Sequence, residues 1–142
     1  MALLHRMGPE ARRLRELPAF GTFSDSDLEK LVKGSRHATL PANWTMIHAK
    51  TPGDACYILL AGRVAVYVGD QVAAELGPGE VIGEVSLREK KLRTATVSTL
   101  EPVELLRIEG EDLDRLLREI PALGSAIDAT VNRHVGRATT AE

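Results

Sequence analysis

Residues 81–95 read Val-Ile-Gly-Glu-Val-Ser-Leu-Arg-Glu-Lys-Lys-Leu-Arg-Thr-Ala. Gly83 frees the backbone, Glu84 places a carboxylate directly after it, and the next few residues can form one helical turn. Arg93 and the hydroxyl of Thr94 close the stretch. These groups suit a small anion that carries a sugar. A helix start presents backbone N–H groups to a phosphate. An arginine adds a permanently charged, forked donor to the same group. A carboxylate can accept a hydrogen bond from a ribose hydroxyl. The plainer alternative is an ordinary Glu84–Arg93 ion pair, which at a surface does little.

The surrounding sequence, from about residue 36 to residue 108, reads as short strands separated by turns. Tyr57-Ile58-Leu59-Leu60 is a buried apolar run, and residues 63–68 are rich in strand formers. Gly69-Asp70 is a two-residue hairpin signal leading into residues 71–76. Gly77-Pro78-Gly79 turns the chain toward the quoted stretch, and residues 94–100 and 103–108 complete the series. Many short strands at this spacing predict a sandwich or small barrel.

Helices flank this region. Pro9 suits a first helical turn, with Leu14 and Leu17 on one face before Pro18 ends the segment. Ser24, with Asp27 three residues on, reads as a cap for a second helix whose apolar stripe is Leu28, Leu31 and Val32. Gly34 is its natural stop. Leu113, Leu116, Leu117 and Ile120 follow helical spacing up to Pro121. Leu123, Ile127, Val131 and Val135 then recur every fourth residue on a last helix, before a polar tail from Arg137.

Together these features resemble the cyclic nucleotide-binding domain family. Its phosphate-binding cassette reads roughly Phe-Gly-Glu, a small pair, Leu, a variable loop, then Arg-Ser/Thr/Ala-Ala. Gly83, Glu84, Ser86, Leu87, Arg93, Thr94 and Ala95 match it. So do Leu17-Pro18-Ala19-Phe20, Pro52-Gly53-Asp54, Gly62-Arg63-Val64 and Leu76-Gly77-Pro78-Gly79, so the resemblance spans roughly residues 14–135. It implies a mostly β fold with flanking helices: a β-roll of the jelly-roll type, an N-terminal helical bundle and C-terminal lid helices. The expected division of this single domain is helical 1–35, β-roll 36–108, C-terminal helices 109–137 and tail 138–142. The resemblance implies that Glu84 holds the ribose 2′-hydroxyl and Arg93 the cyclic phosphate. The amides of Glu84, Val85, Ser86 and Leu87 would cap that phosphate, and Gly83, Thr94 and Ala95 complete the expected ligand-binding set. In the family the last helix closes over the purine, which makes Thr130, Arg133, His134, Arg137 and Thr139 candidate lid residues. Two departures stand out. Ile82 replaces the usual aromatic, and Lys90-Lys91-Leu92 replaces the usual turn-forming Gly or Pro before the arginine.

Composition narrows the function class. The chain has 142 residues, enough for one domain with a core, and is 44% hydrophobic. Its net charge of −2 gives no sign of general affinity for nucleic acid or anionic membrane. Cys56 is the single cysteine, so no internal disulfide forms, and a buried hydrophobe is expected in a cytoplasmic protein. No apolar run approaches a membrane span of about 18 residues. His5, His37, His48 and His134 lack the spacing of a metal site, which argues against a cupin-type jelly-roll enzyme. No serine or cysteine sits in a nucleophile motif, so no catalysis and no cofactor are expected. Arg88, Lys90 and Lys91 are read either as a solvated loop or as a cluster that speeds capture of an anion.

The expected function is a non-enzymatic sensor that binds cyclic AMP, with cyclic GMP as the other ligand to test. Thr94 does not decide between them. Only seven residues follow Val135, too few for an effector domain, and Met1 reads as a true start. For a full-length chain the expected output passes through the C-terminal helix to a protein partner or a homodimer; in a longer protein an effector domain would follow. The rival expectation is an interaction module that keeps this fold without binding nucleotide.

Overall fold

A computed structural model describes residues 7–129. Two four-stranded antiparallel sheets face each other. One has the order β1 (Arg36–Leu40), β8 (Val103–Glu109), β3 (Ala55–Ala61), β6 (Val81–Ile82). The other has the order β2 (Thr45–Ile47), β7 (Thr96–Thr99), β4 (Val64–Val68), β5 (Gln71–Leu76). The sheets form the β-roll. Helices α1 (Pro9–Arg15), α2 (Asp25–Lys33) and α4 (Gly110–Glu119) lie outside it, as does a final helix α5 over residues 121–129. Helix α3 (Glu84–Glu89) interrupts the strands between β6 and β7.

Strand β3 explains how one sheet carries two cores. Alternate side chains of a strand point to opposite faces. Ala55, Tyr57 and Leu59 face the roll interior with Val64, Leu76, Ile82, Val97 and Leu105. Cys56, Ile58 and Leu60 face the helices and pack with Leu14, Phe20, Leu28, Leu113 and Leu123. Both faces are covered, so the sequence shows an unbroken apolar run and no alternation. Each fully buried Leu or Ile contributes about 1.5–3 kcal/mol from burial alone.

The helix boundaries follow local chemistry. Pro9 occupies the first turn of α1. Ser24 Oγ accepts from the Asp27 amide at 3.0 Å, capping α2, which stops at Gly34. Leu28 and Leu31 are buried and Val32 is half-buried, as the stripe predicts. Ile120 leaves helical geometry (φ −124°, ψ 90°), and a new helix starts at Pro121, with Leu123 and Ile127 buried. Val131, Val135 and the polar tail lie outside the described residues. Arg13 on α1 pairs with Glu104 on β8, and His37 Nε2 on β1 meets the same carboxylate at 2.7 Å, tying the N-terminal helix to the first sheet. None of the described helices is long and apolar enough to cross a membrane.

Candidate functional site

Strand β6 puts Ile82 into the roll interior, where it packs as a buried aliphatic in the place of the family's aromatic. The chain then turns sharply. Gly83 adopts φ +85°, a left-handed geometry that L side chains rarely take, and opens helix α3. Helix α3 ends at Lys90, which is also left-handed (φ 55°, ψ 43°). A lysine thus makes the turn for which the family uses glycine or proline. The Lys91 amide closes it by donating to the Ser86 carbonyl at 3.0 Å. Leu92, 56% exposed, bridges to Pro52, and Arg93 then dives into the protein, only 6% exposed.

The backbone of Arg93 is pinned on both sides. Its carbonyl accepts from the Lys50 amide at 2.7 Å, and its own amide donates to the Thr51 carbonyl at 2.8 Å. The same 48–54 loop presses on α3 at Gly53. A Cβ there would come within 3.0 Å of Ser86 Oγ and 3.2 Å of the Leu87 amide nitrogen. An alanine there would force the loop and the helix to give by a few tenths of an ångström.

The guanidinium of Arg93 gathers the site. Nη1 donates to the Gly83 carbonyl and to Ser86 Oγ, each at 2.7 Å, and Nη2 donates to the Ala55 carbonyl at 2.5 Å. Asp54 Oδ1 stands 3.9 Å from Nη2, an ion pair beyond hydrogen-bond reach. Among the described residues Nε has no acceptor, so the fork keeps an unfilled donor. Glu84, 5% exposed, gives Oε1 to Arg88 Nη1 at 2.8 Å. Its Oε2 has no hydrogen-bond donor among the described residues. A buried carboxylate and a buried guanidinium, each part-satisfied, thus lie on one short segment. Leaving such groups without partners is costly.

The ion-pair alternative for Glu84 and Arg93 does not describe this arrangement: the partner of Glu84 is Arg88. Nor does Arg88 belong to a loop. It lies in α3, where the spacing of four residues stacks it over Glu84. Lys91 pairs with the exposed Glu89 at 2.8 Å, and Lys90 is exposed. Val85 and Thr94 are exposed, and Ser86, Leu87 and Ala95 are half-buried. The lid candidates Thr130, Arg133, His134, Arg137 and Thr139 all lie outside the described residues.

The structure adds residues that the sequence did not single out. Arg107 on β8 pairs in register with Tyr57 on β3, and both occupy interior-facing positions. Its Nη1 donates to the Tyr57 hydroxyl at 3.1 Å, its Nε to Glu109 at 2.9 Å and its Nη2 to Asp54 at 3.4 Å. Asp54 therefore stands between Arg93 and Arg107. Val66 and Ala74 are paired across β4 and β5 and are half-buried on the interior face beside Val97, an apolar floor at the end of the cassette. Only a spacing of two from Val64 to Val66 signalled this in the sequence. Cys56 is fully buried, and burial pushes its thiol up to about 12, with the Glu84 charge adding to the effect.

The sequence profile of the cyclic nucleotide-binding domain matches residues 38–120, more than half of the chain. The chain belongs to the cyclic nucleotide-binding domain family. This domain is 35% identical over 124 residues to an uncharacterised NTE family protein of Mycobacterium tuberculosis, covering 86% of this chain and 21% of that protein. Among solved structures, it resembles the N-terminal domain of a transcriptional regulator from Streptomyces coelicolor A3(2). That match has a TM-score of 0.67 and 31% identity, and covers 88% of this chain and 93% of that one. It also resembles the catabolite activator protein of Thermus thermophilus, with a TM-score of 0.73 and 26% identity over 87% of this chain and 60% of that one. The chain thus spans about a fifth of the NTE relative's length.

Proposed function

We propose that this domain is a non-enzymatic sensor of cyclic nucleotides, with cyclic AMP as its preferred ligand. The observation that carries the reading is the pair of part-satisfied buried groups on one cassette. Glu84 offers a free carboxylate oxygen and Arg93 an unfilled donor, as a ribose hydroxyl and a neighbouring cyclic phosphate require. The first-turn amides of α3, which no side chain caps, add donors for the phosphate. The apolar floor of Val66, Ala74 and Val97 supplies a surface for a base. Binding would then shift the packing of the cassette against the C-terminal helices, a change of population between two arrangements. Output would go to a protein effector or a second copy of the chain. The test is calorimetric titration with cyclic AMP and cyclic GMP. Thr94→Ala is titrated with both nucleotides, because a hydroxyl beside Arg93 is the group that would contact a guanine if one were bound. A wild type that prefers cyclic GMP and loses that preference in Thr94→Ala overturns the choice of base.

One observation favours a second reading, an interaction module that binds no nucleotide. Three N–H groups of Arg93 already serve Gly83, Ser86 and Ala55, so the arginine has a structural duty of its own. On that reading wild type shows no heat with either nucleotide, and Arg93→Ala loses stability alone.

A further inference from the structure

Arg88 lies outside the residues that the resemblance assigns to the ligand, yet it connects two parts of the protein. Its Nη1 is 2.8 Å from Glu84 Oε1 and 3.8 Å from Asp128 Oδ1 on α5. The two carboxylates differ in setting. Glu84 is 5% exposed, and Arg88 is its hydrogen-bond partner among the described residues, whereas Asp128 is 71% exposed. A carboxylate buried that deeply without a cation would pay a large desolvation penalty, so Arg88 is the group that allows Glu84 to sit where it does. Because Arg88 occupies one oxygen, it also fixes the orientation of the other.

We propose that Arg88 is a positioning residue: it aims Glu84 Oε2 at the ribose 2′-hydroxyl and, through Asp128, links the ribose site to α5. The proposal rests on the nucleotide-sensor reading above and adds a regulatory connection to that site. Nη1 donates to Glu84 and stands in ion-pair range of Asp128, beyond hydrogen-bond reach, so a change in how strongly Glu84 holds it changes its attraction to Asp128. When Glu84 accepts a second hydrogen bond from a ribose, its charge is divided between two donors. The guanidinium is then freer to engage Asp128. An arginine suits this role because its planar guanidinium fixes the direction of the N–H that holds Glu84 while its charge also reaches Asp128, which a lysine point charge does not reproduce.

The experiment compares cyclic AMP with 2′-deoxy cyclic AMP in wild type, Glu84→Gln, Arg88→Gln, Arg88→Lys and Asp128→Asn, each verified as folded by its melting curve. Amide exchange in residues 121–129 is read with and without cyclic AMP. Wild type should prefer cyclic AMP about tenfold, the value of one hydrogen bond to a charged group. Arg88→Gln should erase most of that preference although it touches no ligand atom. Arg88→Lys should keep part of it, and Asp128→Asn should keep it while weakening the ligand-induced slowing of exchange in α5. A preference that disappears in Glu84→Gln and survives intact in Arg88→Gln overturns the proposal and leaves the sensor reading standing. Wild type that binds neither nucleotide overturns the sensor reading itself, and the role of Arg88 with it.

Discussion

Gly83 and Arg93 are made for each other: the Gly83 carbonyl accepts from Arg93 Nη1 at 2.7 Å, and a Cβ on Gly83 would fall 2.5 Å from that same nitrogen. The absence of a side chain therefore does two things at once. It permits the left-handed turn at φ +85° and leaves the room into which the guanidinium folds.

Gly83→Ala should consequently be costly in two separable ways. The strained backbone alone lowers stability by about 1–3 kcal/mol, visible as a lower denaturant midpoint. The displaced guanidinium should weaken nucleotide binding as well. An alanine variant with wild-type affinity would mean that the position of Arg93 seen here is not needed for binding.

Much of this arrangement was legible in the sequence because it is local. Gly83, Glu84, Ser86 and Arg93 lie within eleven residues, and the structure brings Gly83 and Ser86 onto the Arg93 guanidinium while Glu84 pairs with Arg88. Ser24 and Asp27, Pro121, and the run through β3 likewise declare their structure over a few positions. The Asp54–Arg107–Tyr57 group could not be read that way. Asp54 and Arg107 are 53 residues apart and meet only because β3 and β8 pair in register. Arg88 was readable only as part of a basic cluster. Three cations among four nearby charged side chains look like a solvated loop until α3 is known to run to Glu89. Strand β6, two residues long, is too short for any periodicity to mark it.

Arg93→Ala should cripple nucleotide binding. Truncating one side of a buried, charge-assisted contact costs about 2–5 kcal/mol. It should also lower stability, because the Gly83 and Ala55 carbonyls lose their donor. Arg93→Lys should recover stability in part and binding less, since a point charge cannot reproduce the fork. Titration and chemical denaturation of both variants check the two effects separately.

Acid should loosen the junction between α1 and the first sheet. Hydrogen bonds from His37 and Arg13 hold the Glu104 carboxyl below its ordinary value of 4.5. A carboxylate depressed in the folded state stabilises it fully above the unfolded value, and that contribution is lost as pH falls through the lower, native value. Glu104→Gln should therefore lower the melting temperature at neutral pH. The gap from wild type should close as pH falls below about 4.5 and through the native value. A gap that is constant with pH would remove the charge from the explanation.

Cys56 offers a clean probe because the chain has no other cysteine. It is fully buried and its thiol, raised to about 12, stays protonated at neutral pH. The thiolate is the reactive form. A disulfide reagent should label the native protein slowly and the denatured protein at the rate of an ordinary thiol. Saturating cyclic AMP should slow native labelling further, since a ligand that binds only the native form suppresses opening. Labelling of the native protein at the denatured rate would contradict the burial.

Titration calorimetry of the wild-type domain with cyclic AMP, run beside the Arg93→Ala variant, tests the central claim most directly. The account predicts one saturable site per chain in wild type, tighter for cyclic AMP than for cyclic GMP, and an affinity lowered at least tenfold in Arg93→Ala. A folded wild-type domain that gives no binding heat and no rise in melting temperature with either nucleotide would contradict it.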